Sequence, residues 1–310
     1  MADDGELVES GTFRVDRQRA LEKLKDFQLS DPTMFLLPWI RCAVASGATG
    51  IRLTAYEGGW DDHINTDGGL LKMSFDGRPF TEKELKDPYN CLFEETTQDN
   101  ARNRNFAIGI LSALRLNPSS VTVYSGIGHG RVRLDVESLE SEVLTPIEGS
   151  DTITTVLRVE WPYFVRSSFP AGLMQHVCDN HLIWLCPLQI GGQFATHVSP
   201  DHRPLQRYQL VPHPNLQSED KTVRGWITVS SDHDRGKSTI RLYNYGVYVE
   251  TVELDMPFEL VEADINDDQF ILNVSQSGVV RNARFEQTMK LTQTQIERLV
   301  LGGSSSDTKG

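Results

Sequence analysis

Residues 72–85, KMSFDGRPFTEKEL, combine a strand, a tight turn and the start of a capped helix. Apolar residues alternate up to Phe75, which is typical of a strand. Asp76 and Gly77 follow, and this pair favours a turn because both residues tolerate the backbone angles that turns require. Thr81 and Glu84 have the spacing of a capping box, which predicts the start of a helix. The segment therefore predicts a strand, a turn and a helix in direct succession.

A helix is predicted upstream of this segment, over 34–46. Ser30 or Asp31 can cap it, and Pro32 suits its first turn because the amide hydrogen that proline lacks is not needed there. Pro38 lies further along and predicts a kink or a break, since proline removes a backbone hydrogen bond inside a helix.

The order of the remaining elements in the first half predicts an α+β fold, with helices on one face of a mostly antiparallel sheet. The glycine-rich stretch 126–130 lies between two predicted strands, so it favours a hairpin over a phosphate loop. The other predicted helices cover 16–25 and 105–116, and the predicted strands cover 51–57, 70–75, 121–124, 132–136 and 152–160.

A domain boundary is predicted near 162–170, because the strand pattern stops there and a new helix begins around Leu173. The boundary defines a first domain over 1–165, a second over 166–301 and a disordered tail over 302–310. Within the second domain we predict an irregular connection, three strands and a final helix capped by Thr292, at 195–222, 225–230, 238–243, 247–252 and 292–301.

The charge balance argues against nucleic acid as the main partner. The 310 residues include 30 Lys and Arg against 43 Asp and Glu, a net charge of −13, which repels phosphate backbones. Arg102, Arg104 and Arg115 could still form a local basic face, although a solvated loop explains them equally well. The start of the chain lacks the features of a signal peptide, and no apolar run is long enough to cross a bilayer. We therefore expect a cytoplasmic protein that does not bind membranes.

The cysteines favour buried thiols over a metal centre. Cys42, Cys91, Cys178 and Cys186 lack the paired spacing of a zinc site or a redox motif. Cys178 and His181 come nearest to the spacing of metal ligands, but no fourth ligand accompanies them and Cys186. No metal is expected.

Two separated stretches resemble the front part of the Hsp90 chaperone family, within the GHKL ATPase superfamily. In the first stretch, 13–48 is similar to the family's first helices, and 72–85 is similar to the strand, turn and helix that hold adenine. The helix at 107–114 and the strand at 121–125 resemble the glycine-bearing helix and the strand behind the ATP lid.

The second stretch resembles the family's middle domain. Residues 173–191 are similar to its opening helix and the next strand, and 240–249 and 265–275 are similar to its inner strands, with the signature LNVS at 272–275. The resemblance covers most of 13–285. It implies an Hsp90-like ATPase-type α/β sandwich followed by a ribosomal S5 domain 2-like middle domain.

The resemblance also implies that the catalytic groups are replaced. In the family one helix carries a glutamate that polarises water, an asparagine that holds magnesium and an aspartate. Pro38, Cys42 and Ala45 occupy those places, and none of them supplies a base or an oxygen ligand. The family's arginine after LNVS is replaced by Gln276, and Arg281 could substitute only along a different local path. We therefore expect no catalytic residue and no metal ligand.

Some nucleotide contacts have partial counterparts. Asp76 and Gly77 match the adenine-holding turn, which is one residue short here and continues into a proline, so Asp76 either accepts from adenine or simply forms a turn. At the phosphate-facing positions Gly109 is the one matching glycine, beside Arg104 and Ala107. Asp76, Gly77 and Gly109 are thus the cofactor-binding candidates, and only if a nucleotide binds.

The expected function is a chaperone-type, protein-binding scaffold that has lost ATP hydrolysis and uses no cofactor. Its partner would be a protein client or a neighbouring protein. A monomer or a subunit of a hetero-complex is expected, because the chain ends where the family continues into its dimerising domain. The aromatic residues considered for partner contacts are Trp161, Tyr163, Phe164, Trp184 and Trp226.

Two other functions compete with this one. A divergent but active ATPase chaperone would bind ATP and magnesium and would use Glu94 or Glu95 in place of the missing carboxylate. A nucleic-acid or ligand-binding module in the second domain is the third possibility, and the acidity of the chain argues against nucleic acid.

Overall fold

The computed structural model describes ten stretches of the chain. It contains two β-sheets with helices packed against them, so the α+β class is confirmed. The described residues are 17–29, 31–56, 69–149, 155–161, 169–181, 185–195, 207–209, 223–230, 237–255 and 260–303.

The first sheet has eight strands. They are β1 (Ile51–Tyr56), β2 (Gly69–Phe75), β3 (Ser120–Ser125), β4 (Val132–Val136), β5 (Glu142–Pro146), β6 (Thr155–Trp161), β7 (Leu188–Ile190) and β8 (Gln193–Phe194). Their order in space is β5-β4-β3-β6-β2-β1-β7-β8, and β1 pairs with β7 in parallel. Nearly every residue of β2 is buried, because this apolar strand lies in the middle of the sheet. The glycine-rich stretch joins β3 and β4 as the predicted hairpin.

The second sheet has five strands. They are β9 (Arg207–Gln209), β10 (Val223–Ser230), β11 (Ser238–Asn244), β12 (Val247–Leu254) and β13 (Leu260–Asp267), in the spatial order β12-β11-β13-β10-β9. The last helix, α6 (Ala283–Gly303), packs on this sheet through Phe285 and Ile296. Asp267 is fully buried at the end of β13, where Arg284 Nε lies 2.6 Å from its carboxylate.

Five further helices accompany the first sheet. They are α1 (Arg17–Phe27), α2 (Leu36–Ala45), α3 (Glu82–Lys86), α4 (Gln98–Leu114) and α5 (Phe169–Asn180). α2 and α4 pack directly against each other, and both contribute to one continuous core with the sheet. α3 begins with the predicted capping box, in which Thr81 and Glu84 satisfy each other's backbone amides.

Pro38 does not kink α2. The chain forms a 3-10 turn over Pro32–Phe35, capped by Asp31, and the α-helix begins at Leu36. Pro38 is therefore in the first turn of α2, where backbone amides have no partner within the helix. The predicted kink or break at Pro38 is therefore wrong, because the 3-10 turn ends at Phe35 and α2 runs through Pro38 to Ala45.

Three helix starts were predicted too late. α5 begins at Phe169 instead of around Leu173. α4 begins at Gln98 instead of 105, because Thr97 and Asn100 form a second reciprocal capping box. α6 begins at Ala283 instead of 292, so the predicted cap at Thr292 is wrong. Thr292 is buried inside α6, and its hydroxyl donates to the carbonyl of Thr288 at 2.9 Å. α6 also includes the first two residues of the predicted tail, and 304–310 lie outside the described residues.

Residues 169–181 and 185–195 pack with the first sheet. Leu173 and Val177 of α5 belong to the core that α2 and α4 share, and β7 and β8 extend the edge of the sheet beyond β1. The predicted domain boundary falls mostly on 162–168, outside the described residues. The first core thus includes chain from both sides of the predicted boundary.

Among the described residues, no helix combines the length and the apolar character that crossing a bilayer requires.

The contacts of Glu84 with Arg102 and Asn103 join α3 to α4, and we expect them to weaken in acid. Burial alone would raise the pKa of Glu84, but hydrogen bonds from the Thr81 backbone and Asn103, with the charge of Arg102, lower it to about 2. A carboxyl group whose pKa is lowered on folding stabilises the fold above its ordinary pKa, near 4.5, and this stabilisation is lost as the pH falls towards 2.

We expect Glu84→Gln, which can keep the capping box but removes the charge, to lower the free energy of unfolding by on the order of 1 kcal/mol at pH 7, since solvent screens this partly exposed carboxylate. Denaturant unfolding between pH 2 and pH 7 should show the difference from wild type shrinking with acid. Glu82→Gln, in the same turn but exposed, is the control. A pH-independent loss in Glu84→Gln would contradict this electrostatic account.

Candidate functional site

The three family-matched positions on α2 present no acid and no amide. Pro38 is buried, Cys42 is fully buried and Ala45 is partly buried. Burial raises the pKa of the Cys42 thiol to about 12, so the thiol stays protonated at neutral pH. A neutral thiol is a poor ligand for magnesium, which prefers oxygen.

Asp76 forms a structural turn. Its carboxylate accepts from the amide of Thr49 at 2.7 Å and from the amide of Gly50 at 3.1 Å, and it also bonds the Thr49 hydroxyl. Burial raises the pKa of Asp76, but these hydrogen bonds outweigh it and hold the pKa below its usual value. Asp76 thus fixes the chain between α2 and β1.

Gly77 is packed against the end of α2. Its φ of +101° is in the region that favours glycine, and a Cβ atom there would lie 2.7 Å from the carbonyl oxygen of Ser46. The next amide, of Arg78, donates to that same oxygen at 2.8 Å. Both residues of the adenine-turn candidate therefore hold α2 and the end of β2 together.

Gly109 makes room for an indole ring. A Cβ atom at Gly109 would lie 2.2 Å from Trp39 Cδ1, so the ring of Trp39 occupies the space beside α4 that a side chain would need. Trp39 Nε1 donates to the carbonyl of Phe106 at 3.3 Å, and Phe35 packs edge-on against the indole at 5.2 Å. The surviving glycine is thus a packing contact between α2 and α4.

The arginines that could have formed a basic face bind separate parts of the chain. Arg102 is buried, donates to the carbonyls of Arg78 and Pro79, and lies over the ring of Phe80. Arg104 donates to two backbone carbonyls near the 3-10 turn at 90–93. Arg115 donates to the carbonyl of Leu29. Each guanidinium therefore has a structural partner of its own.

Gln276 contacts the first core through an arginine that sequence patterns did not single out. Arg41 of α2 donates from Nη1 to Gln276 Oε1 at 3.0 Å. Its only sequence signal is a single charge inside the apolar stretch LLPWIRCAVA. Arg281, the candidate substitute for the family's arginine, forms an ion pair with Glu250 instead.

A cleft of about 320 Å³ lies between the first turns of α4 and the segments that follow β11 and β13. Arg104 and Ile108 line it from α4, and Asn244, Tyr245 and Gln276 line it from the other side. Burial lowers the pKa of Arg104. None of the three nucleotide candidates is among the described residues that line this cleft, and Glu94 and Glu95 line a separate one beside α3.

His181 and the cysteines near it do not gather around a common point. Both ring nitrogens of His181 lie within hydrogen-bond distance of carbonyls, Gly246 O at 3.1 Å and Cys186 O at 2.8 Å. Within the described part of the chain, no group of three His, Cys, Asp or Glu residues is placed to hold a metal ion. Burial lowers the pKa of His181, and the two backbone carbonyls partly oppose this shift.

Comparisons with known proteins add no relative to this picture. The chain matches no protein-family model, and a search of curated proteins finds no similar sequence.

The contact between Trp39 and Gly109 predicts a strong steric effect. We expect Gly109→Ala to lower the free energy of unfolding by about 1–3 kcal/mol, because the new methyl group collides with a ring that is enclosed on all sides. Denaturant unfolding measures this change.

Gly172→Ala provides the matched control, since Gly172 is also a helical glycine but a Cβ atom there meets nothing within 4 Å. This variant should gain up to about 1 kcal/mol from helix propensity. Equal stability of Gly109→Ala and the wild type would contradict the packing of Trp39 described above.

Proposed function

We propose that this protein is an Hsp90-like, chaperone-type scaffold that binds other proteins and does not hydrolyse ATP. The observation that carries the proposal is the packing of Trp39 against Gly109, which fills the space between α2 and α4. In the family that the sequence resembles, a nucleotide needs groups from both of these helices. Here the two helices bind each other.

The residues at the matched positions lack the groups that phosphoryl transfer requires. Transfer needs a group that orients the attacking water, an oxygen ligand for magnesium and a cation on the terminal phosphate. Pro38 and Ala45 supply neither a base nor an acceptor, and Cys42 supplies a buried, protonated thiol. Gln276 is neutral, and its side-chain oxygen is already bonded to Arg41. These substitutions together support a non-catalytic role.

Exposed apolar side chains support the protein-binding part of the proposal. The 271–280 loop follows β13 and is closed by backbone hydrogen bonds, including Val280 N to Ile271 O at 2.8 Å. Ile271, Val274 and Val280 are exposed on this one loop, Val274 to 63%. Apolar side chains gathered on a protein surface favour contacts with other proteins.

Two of the five aromatic candidates for partner contacts lie among the described residues. Trp161 and Trp226 are partly buried, and Trp161 packs near Phe35. Tyr163, Phe164 and Trp184 lie outside the described residues.

We expect no heat of binding when ATP with magnesium, up to millimolar concentration, is titrated into the protein in a calorimeter. Two causes act together: Trp39 occupies the space between the helices, and the matched positions on α2 supply no oxygen ligand for magnesium. The variant Trp39→Ala removes the ring and leaves the magnesium ligands missing, so we expect that it also binds no ATP. Micromolar binding or turnover by the wild type would favour the divergent ATPase instead.

Protein binding predicts that the chain suppresses aggregation of heat-denatured citrate synthase, measured by light scattering. Val274→Asp should raise the concentration needed for half suppression about fivefold, which corresponds to about 1 kcal/mol of lost apolar contact. Val143→Asp is the control, because Val143 is similarly exposed, to 57%, but lies on β5, an edge strand of the first sheet. An equal effect of both variants, or no suppression by the wild type, would contradict the proposal.

A further inference from the structure

Arg41 is a buried cation without a carboxylate partner among the described residues. Its side chain is 2% exposed and donates to two neutral acceptors, Gln276 Oε1 at 3.0 Å and the backbone carbonyl of Tyr248 at 3.4 Å. Its Nε atom is buried and has no hydrogen-bond partner in the part of the chain that the structure describes. Burial lowers the pKa of the guanidinium to about 9. Arg41 therefore gives up its hydration and receives incomplete compensation.

Both acceptors belong to the second sheet and its loop, whereas Arg41 belongs to α2 under the first sheet. Tyr248 lies on β12, next to Val247, whose side chain is fully buried in the first core. Val247 thus anchors the beginning of β12 by apolar contact. The polar contact of Arg41 extends this attachment to the 271–280 loop.

Gln276 is held in an unusual conformation that suits this contact. Its φ is +59°, which is uncommon for a residue other than glycine. Its amide donates to Asn273 O at 3.0 Å, and the side chain of Asn273 accepts from the amide of Ser277 at 3.0 Å. The loop is therefore closed on itself. It is held to β12 by the Val279 amide, which donates to Glu250 at 2.7 Å, and the hydrogen bond of Gln276 to Arg41 links it to α2.

We propose that the hydrogen bond between Arg41 and Gln276 is a reversible latch between α2 and the 271–280 loop. Release gives the guanidinium back to water, which offsets the loss of a single hydrogen bond to a neutral group. A carboxylate in place of the amide would form an ion pair with the guanidinium and keep the latch closed. Release also widens the cleft beside Arg104, because Gln276 lines its wall.

Gln276→Glu tests the latch by supplying the missing carboxylate. Hydrogen exchange of the Gln276 and Val280 amides, both hydrogen-bonded within the loop, reports opening. We expect exchange at these amides to slow about tenfold in Gln276→Glu, because an ion pair replaces a hydrogen bond to a neutral acceptor. Gln287→Glu makes the same charge change on the exposed side of α6 and should leave these rates unchanged.

The decisive experiment combines Gln276→Glu with a neutral residue at position 41, in place of the arginine. In an Arg41→Met background the new carboxylate faces no guanidinium, so the same amides should exchange faster than in Arg41→Met alone. Arg41→Gln gives a second neutral background that keeps a hydrogen-bonding side chain, should Arg41→Met fold poorly. A reversal of sign between the wild-type and neutral backgrounds supports the latch.

An effect of Gln276→Glu that is the same in all backgrounds would overturn the latch, and so would a slowing by Gln287→Glu as large as that by Gln276→Glu. Exchange of the loop amides at the rate of the buried β2 amides in the wild type would also overturn it, since the loop would then open only with global unfolding. These outcomes are independent of ATP titration and client suppression, so the latch and the proposed scaffold function can fail separately.

Discussion

The indole of Trp39 lies against the backbone of α4 because Gly109 leaves room for it. This contact sets the distance between α2 and α4, and the two helices together cover the first sheet. A larger residue at Gly109 would separate the helices and disturb every side chain between them, since close-packed interiors transmit small changes in volume. The position of α2, and with it the placement of Pro38, Cys42 and Arg41, depends on this steric constraint.

The residues that were candidates for nucleotide contacts have structural roles in this fold. Asp76 caps the link between α2 and β1, Gly77 receives the end of α2, and Gly109 receives Trp39. Each role requires the same residue type that a nucleotide site would need, for a purely structural reason. The presence of aspartate and glycine at these positions therefore does not distinguish a nucleotide pocket from a packed core. The residues that pack around them determine which of the two forms.

Local chemistry allowed much of the fold to be predicted. The capping box at Thr81, the turn at Asp76 and the alternating strands depend on neighbouring residues, and the structure has them where the sequence placed them. The start of α6 and the strand β5 were missed because their apolar patterns are weak, and tertiary contacts complete them. The Trp39 contact was not predictable either, because its two partners lie on different helices and only the packed structure brings them together.

The contacts of Arg41 also could not be predicted from the sequence. An arginine within an apolar helix predicts either exposure at a helix edge or a buried partner of opposite charge, yet it contacts an amide and a carbonyl. A carboxylate would bind it more tightly, and a hydrophobic side chain of similar size would avoid the cost of dehydration. The hydrogen bond between Arg41 and Gln276 has neither advantage. It therefore contributes little to keeping the 271–280 loop against α2. A weak contact at this position is consistent with a junction that opens, because the free-energy difference between the closed and the released loop is kept small.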